Sequence, residues 1–191
     1  HRQSSAASDV YKRQILLIGC SQKNKEEISF TDMNSSISTA LDGWNYQIEP
    51  SDLAQICDDV LNSSKNMLKK IEEDRSKPTL SSVFIPYDEM GKNLQKIQHV
   101  WYMKSVHPDA ALRNVATECA QEYSSFATEV NLSRKLYDRI ALIDQANLTN
   151  SEKLMLDRRL KDFKKSGVDK SVEIRERVKK LNLEITEIGN S

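Results

Sequence analysis

From Leu53 to Ile188, apolar side chains return every three or four residues in one stretch after another. That spacing lines them up on one face of a helix, whereas a half-buried strand needs strict alternation. The first stripe comprises Leu53, Ile56, Cys57, Val60, Leu61, Met67, Leu68 and Ile71, with Ser51 as the expected N-cap and Ser76-Lys77-Pro78 as the break. Pro86 fits the first turn of a second helix, where its missing N–H costs nothing. Met90, Leu94, Ile97, Val100 and Trp101 share that helix's face, and His107-Pro108 ends it. After Pro108, Ala111, Leu112, Val115, Ala116, Cys119, Tyr123, Phe126 and Val130 are spaced to bury. Leu132, Leu136, Tyr137, Ile140 and Ile143 resume the spacing beyond a bend near Asn131-Leu132-Ser133.

Thr149-Asn150-Ser151-Glu152 has the form of a capping box, in which hydroxyl and carboxylate each satisfy an amide left open at a helix start. The helix it opens buries Leu154, Leu156, Leu160 and Phe163 and stops at Gly167, the expected left-handed residue. A last helix, roughly Lys170 to Ile188, carries Ile174, Val178, Leu181, Ile185 and Ile188 at heptad-like spacing. Only Ser81 to Ile85 hints at a strand, and it is too short to count. Five glycines and four prolines in 191 residues leave few breaks. The economical fold is an all-α bundle of five or six helices over residues 44–191, after a disordered N-terminal tail.

The 28 basic and 28 acidic side chains cancel, which argues against a uniformly basic nucleic-acid binder. No run of about 18 apolar residues is present to span a bilayer. The first 14 residues, from His1 to Gln14, lack an initiator methionine and any periodicity, and they read as a non-native linker. In residues 15–20 the short apolar run ends in Leu17-Ile18-Gly19-Cys20, which resembles a bacterial lipobox. A small residue precedes the cut in such signals because the scissile bond enters a narrow peptidase site. The thiol of Cys20 would carry the lipid. The apolar run is shorter than an ordinary signal core, as a truncated signal end would be. Residues 21–43, rich in Ser, Asn, Thr, Lys and Glu, read as a flexible tether.

At about 0.8 kcal/mol per buried methylene, an acylated Cys20 would hold the protein at a membrane surface without any spanning helix. The expected location is therefore the bacterial cell envelope or periplasm. If residues 15–43 are only an apolar scrap and a disordered tail, the cytoplasm is the alternative.

Reactive groups are sparse in this sequence. His1 lies in the linker, while His99 and His107 would stand about 12 Å apart on one helix, too far for the usual i, i+4 zinc pair. Both read as partly exposed or capping histidines. Cys57 and Cys119 fall on apolar stripes and read as small buried hydrophobes. In an exported protein they could pair, although one distant pair is no disulfide framework. Gly-rich phosphate loops, Gly-x-Ser-x-Gly and Cys-x-x-Cys are missing. Asp58-Asp59 and Glu72-Glu73-Asp74 read as solvated helix faces, and Lys161, Lys164, Lys165 and Lys170 as cations favoured near a helix end. Catalytic and metal-ligating residues are expected to number none.

Two blocks carry a family likeness. The first is Asn114-Val115-Ala116-Thr117-Glu118-Cys119-Ala120-Gln121-Glu122-Tyr123-Ser124-Ser125-Phe126-Ala127-Thr128-Glu129, followed by Arg134-Lys135-Leu136-Tyr137-Asp138-Arg139-Ile140. The second holds Leu148-Thr149, Leu156-Asp157-Arg158, Asp162-Phe163, Ser166-Gly167 and then Arg175 to Ile185. With Trp44-Asn45 and the helix after Pro50, they resemble the N-terminal helical region of the thimet oligopeptidase and neurolysin family of zinc metallopeptidases. The likeness spans about Trp44 to Ser191 and lies in dispersed pattern.

The resemblance implies a helical enzyme with two lobes flanking a channel that admits short peptides. It also implies zinc on the two histidines of an H-E-x-x-H helix and a later glutamate, with the motif's own glutamate as base. This sequence contains no H-E-x-x-H. It therefore reads as an inactive N-terminal fragment whose partners are short peptides and the remaining C-terminal catalytic part, with zinc only in the full-length enzyme. The rival reading is a non-catalytic helical interaction module of an envelope lipoprotein, which the heptad-like spacing also suits. Purified residues 44–191 are expected to show a helical circular dichroism spectrum, no stoichiometric zinc and no chelator-sensitive peptidase activity. Tight zinc binding would contradict the fragment reading.

Overall fold

Pro50 begins the first helix: its φ is already helical and it has no N–H to leave unsatisfied. In the computed structural model, which describes residues 47–189, α1 runs Pro50–Glu73 with Glu49 as its N-cap residue. Ser51 therefore lies inside the helix, and its expected capping role is taken by the proline start. A π-helical turn follows at Leu80–Phe84, capped by Thr79, whose hydroxyl accepts from the Ser82 amide at 3.0 Å. The Ser81–Ile85 stretch that hinted at a strand is thus helical, and the described residues contain no strand.

Helix α2 spans Ile85–Gln95 with Pro86 in its first turn, and α3 spans Val100–Val106. The turn at residues 96–99 divides what periodicity alone read as one helix. Helix α4, Ala110–Leu132, starts at Asp109, whose carboxylate accepts from the Ala111 amide at 2.8 Å. Ser133 ends α4 and caps α5, Arg134–Ala141, by accepting from the Leu136 amide at 3.0 Å, at the bend expected there.

Helix α6, Asn150–Lys165, opens with the capping box: the Thr149 amide donates to the Glu152 carboxylate at 2.7 Å, and the Glu152 amide donates to the Thr149 hydroxyl at 3.3 Å. It closes at Gly167, with φ of 93°. There the Gly167 amide bonds to the Lys164 carbonyl and the Val168 amide to the Phe163 carbonyl, the paired pattern of a Schellman end with Phe163 and Val168 both buried. Helix α7 is Val172–Ile188. The all-α bundle is the fold, with seven α-helices among the described residues. The readings on residues 1–46, including the linker, Cys20, the tether and Trp44-Asn45, lie outside the described residues.

Helix α4 is central and lies against α1, α3 and α7. Its Leu112, Ala116, Cys119, Ala120, Phe126 and Val130 bury into one core with Leu53, Cys57, Val60, Leu61, Leu68 and Ile71 of α1. Trp101 of α3 meets Tyr123 of α4 edge to face, ring centres 4.8 Å apart. Cys57 and Cys119 are buried, as expected of small hydrophobes, and they are joined as a disulfide, the pairing that the sequence left open for an exported protein. In the chain-entropy model a cross-link over 62 residues stabilises by about 4 kcal/mol.

Polar contacts set the other helices in place. The Asn93 amide of α2 donates to the Val60 carbonyl at 3.1 Å and to the buried Ser64 hydroxyl at 3.0 Å, which seats α2 on α1. Arg139 of α5, with its side chain only 12% exposed, donates to the Asp74 carbonyl, to the Asp74 carboxylate at 2.7 Å and to the Ser76 carbonyl at 3.4 Å. Ser133 donates to the Glu72 carboxylate. The acidic run Glu72-Glu73-Asp74 is therefore only partly a solvated face. Glu72 and Asp74 tie the end of α1 to α5, because the bend at Ser133 swings α5 back over it.

Four apolar expectations fail: Ile56, Ala111, Leu154 and most of the α7 stripe, namely Ile174, Leu181, Ile185 and Ile188, are exposed. Phe163→Ala should destabilise by roughly 3–5 kcal/mol, since a buried aromatic leaves a void. The exposed Leu154→Ala should stay within about 0.5 kcal/mol. Urea denaturation measures both, and equal effects would contradict the described core.

Candidate functional site

Among the described residues, no three His, Cys, Asp or Glu side chains converge to hold a metal ion. His99 and His107 flank α3 at its two ends. His107 closes that helix, and its Nδ1 accepts from the Asp109 amide at 3.1 Å, in keeping with a capping role. His99 departs from its expected partial exposure: as the last residue of the turn between α2 and α3 it is only 4% exposed. Burial pushes the His99 imidazole below its usual pKa, opposed by a hydrogen bond to the Lys96 backbone. Cys20, the predicted lipidation site, lies outside the described residues.

A groove on the described surface combines rings, amides and charge. It has a volume of about 470 Å³ and opens between α2, α4 and α6. Tyr87, Gln95 and Gln98 line one side, Tyr123 and Asn131 another, and Arg159 closes the end. Pro86 in the first turn and the Phe84 ring, 5.9 Å from Tyr87 and edge-on, set where Tyr87 stands. Phe163 lies 6.1 Å from the same ring, and the Arg159 guanidinium sits 5.3 Å over it. Burial raises the Tyr87 phenol pKa, the Arg159 charge opposes that, and Asp162 and Asp88 add to it. Tyr87 is therefore a neutral hydroxyl that can donate a hydrogen bond. On the rim, Lys92 pairs with Asp88 at 2.8 Å, and that hydrogen bond raises the ammonium pKa.

No histidine, cysteine or serine lines the groove. Its amides, aromatic rings and guanidinium can bind and orient a chain, since side-chain amides offer both donors and acceptors to a peptide backbone. Of these residues only Tyr123 stood out in the sequence, and there as part of an apolar stripe. Tyr87 and Arg159 belong to distant segments, and only the packing of α6 beside α2 makes them neighbours.

A second surface is apolar. On α7, Arg175, Lys179, Asn182 and Thr186 are half-buried while Ile174, Leu181, Ile185 and Ile188 are exposed. Thr186 lines a small hollow with Trp101, Ala120 and Ser124, and Arg175 donates to the Lys170 carbonyl at 3.0 Å. The helix thus packs on α4 through a largely polar side, with most of its heptad-spaced residues left in solvent. None of the described helices is long and apolar enough to cross a membrane.

No protein-family model matches the chain. Among curated proteins, the chain is similar to the mitochondrial intermediate peptidase of Saccharomyces cerevisiae, at 24% identity over 150 residues in each of two strains. The mitochondrial intermediate peptidase of Vanderwaltozyma polyspora is 27% identical over 150 residues. Each match covers 75% of this chain and 19% of the relative. The chain therefore spans about a fifth of the length of these curated relatives, and its distant relatives are peptidases.

The buried histidine carries a pH dependence. The unfolded chain takes up the His99 proton near the ordinary value of 6.5 while the folded chain resists it. Stability from this group is complete above that pH and is lost as the pH falls below it. The urea midpoint should therefore drop between about pH 6.5 and 5.5, and His99→Gln should flatten that part of the profile. An identical profile in the variant would show that His99 is not its source.

Proposed function

We propose that residues 44–191 are the N-terminal helical part of a zinc-dependent metalloendopeptidase that hydrolyses short peptides, forming one wall of its substrate channel and inactive alone. The observation that carries this reading is the 150-residue similarity to peptidases, which agrees at the coarse level with the family likeness of the two residue blocks. The described residues do not fit zinc, for want of three convergent donors. No step of hydrolysis is therefore assigned to them. An H-E-x-x-H helix and its metal would belong to the larger share of the enzyme that the relatives' length implies.

What this body contributes is binding and position. The groove around Tyr87, Gln98 and Arg159 supplies the mixture of rings, amides and positive charge that an extended peptide needs along a channel wall. The exposed stripe Ile174, Leu181, Ile185 and Ile188 is the surface this reading assigns to contact with the catalytic part of the same polypeptide. Attachment to the bacterial envelope would come from a lipid on Cys20. That location rests on Leu17-Ile18-Gly19-Cys20 and takes nothing from the relatives, whose names place them in mitochondria.

The decisive observation is the reading frame past Ser191. An in-frame H-E-x-x-H several hundred residues on is the expected result. A stop codon directly after Ser191 would defeat the peptidase reading and favour the helical module.

A further inference from the structure

The chain has three cysteines, and two of them meet in the middle of the bundle. Cys57 projects from α1 and Cys119 from α4, with α-carbons 5.9 Å apart and 62 residues between them in sequence. That separation lies within the range a disulfide spans without backbone movement. Each residue is 4% exposed, so thiols in solution reach the sulfurs poorly once α1 and α4 have closed. A buried, unstirred bond of this kind acts as a permanent staple, unlike the exposed and electropositive settings in which reactive cysteines sit. Compartments buffered by glutathione and thioredoxin keep protein thiols reduced, and structural disulfides persist where the surroundings are oxidising.

We infer that this helical body is matured by oxidation after export, and that the Cys57–Cys119 bond is installed by a disulfide-bearing thiol oxidoreductase before α1 closes on α4. One protein thiolate attacks the carrier's disulfide, forming a mixed disulfide and expelling one carrier thiolate. The second protein thiolate then attacks the mixed disulfide at the protein sulfur and releases the other carrier sulfur. Two cysteine thiols are oxidised, the carrier's disulfide is reduced to a dithiol, and the two protons pass to the carrier. Oxidation has to accompany folding, because the finished core hides both sulfurs.

The count of thiols bears on the same point. Pairing Cys57 with Cys119 leaves Cys20. An unpaired thiol on an exported chain competes for the wrong partner. A thioether on Cys20 removes that competitor. The core disulfide and the Leu17–Cys20 segment thus point to one compartment through unrelated chemistry. Nothing in this inference needs the peptidase reading, since a non-catalytic bundle would give the same thiol count.

The test compares the full 191-residue chain retained in a reducing cytosol with the same chain directed to an oxidising compartment. Both are trapped with iodoacetamide under denaturing conditions and read by intact mass and peptide mapping. The exported chain should leave Cys57 and Cys119 unlabelled until reduced, with their two peptides linked. The cytosolic chain should be labelled at both. Its unfolding equilibrium should be shifted toward the unfolded state by about a thousandfold, as should that of an exported Cys57→Ala/Cys119→Ala variant. Should that variant fail to fold, the reduced cytosolic chain supplies the same comparison. Full labelling of Cys57 and Cys119 in the exported chain overturns the inference. So does a link from either residue to Cys20, or equal stability of the oxidised and reduced forms.

Discussion

The contact between α1 and α4 is the constraint on which the other helices depend. Both are long and both carry apolar stripes. Burying those stripes against one another removes a long apolar surface from water. Around that seam, α3 leans on α4 through Trp101 and Tyr123, α2 is seated on α1 by Asn93, and α5 is tied to the end of α1 by Arg139 and Ser133. These polar ties act at partly buried positions, where an unmade hydrogen bond costs more than a made one contributes. They fix orientation more than they add stability. The disulfide crosses the same seam and links its two halves covalently.

This arrangement separates structural from functional side chains. Asn93, Arg139, Glu72 and Asp74 are engaged within the fold. By contrast Gln95, Gln98 and Asn131 line an open groove, with Tyr87 held at its edge by Phe84, Phe163 and Arg159. Tyr87 is held by these neighbours before anything binds, so it loses little side-chain freedom on contact, while the exposed Gln95, Gln98 and Asn131 adapt to what they meet. On the proposed reading, a channel wall needs this property and needs no nucleophile of its own.

Local chemistry was legible where it acts over a few residues. The Thr149–Glu152 capping box and the Gly167 helix end involve groups within one turn, so their geometry follows from residue order alone. The stripes of α1, α2 and α4 were legible because burial repeats with the helical period. Ser51 misled because Pro50, pre-set to helical φ, starts the helix one residue earlier and places Ser51 inside it. The groove left no trace in the sequence, since Tyr87, Tyr123 and Arg159 come from three helices and share no spacing. The pairing of Cys57 with Cys119 could only be left open, because apolar stripes say which face of a helix is buried and not which residue it meets.

The sequence by itself determined that the chain is helical, where most helices begin and end, and which faces of α1, α2 and α4 seek burial. Those properties depend on neighbours one turn away. Tertiary structure alone decided that α4 is central, that Cys57 faces Cys119, and that α7 turns its polar side inward and its isoleucines outward. Each of these is a choice of partner between helices. Periodicity makes every apolar face equally eager for cover, and only the limited room around one core settles which faces receive it.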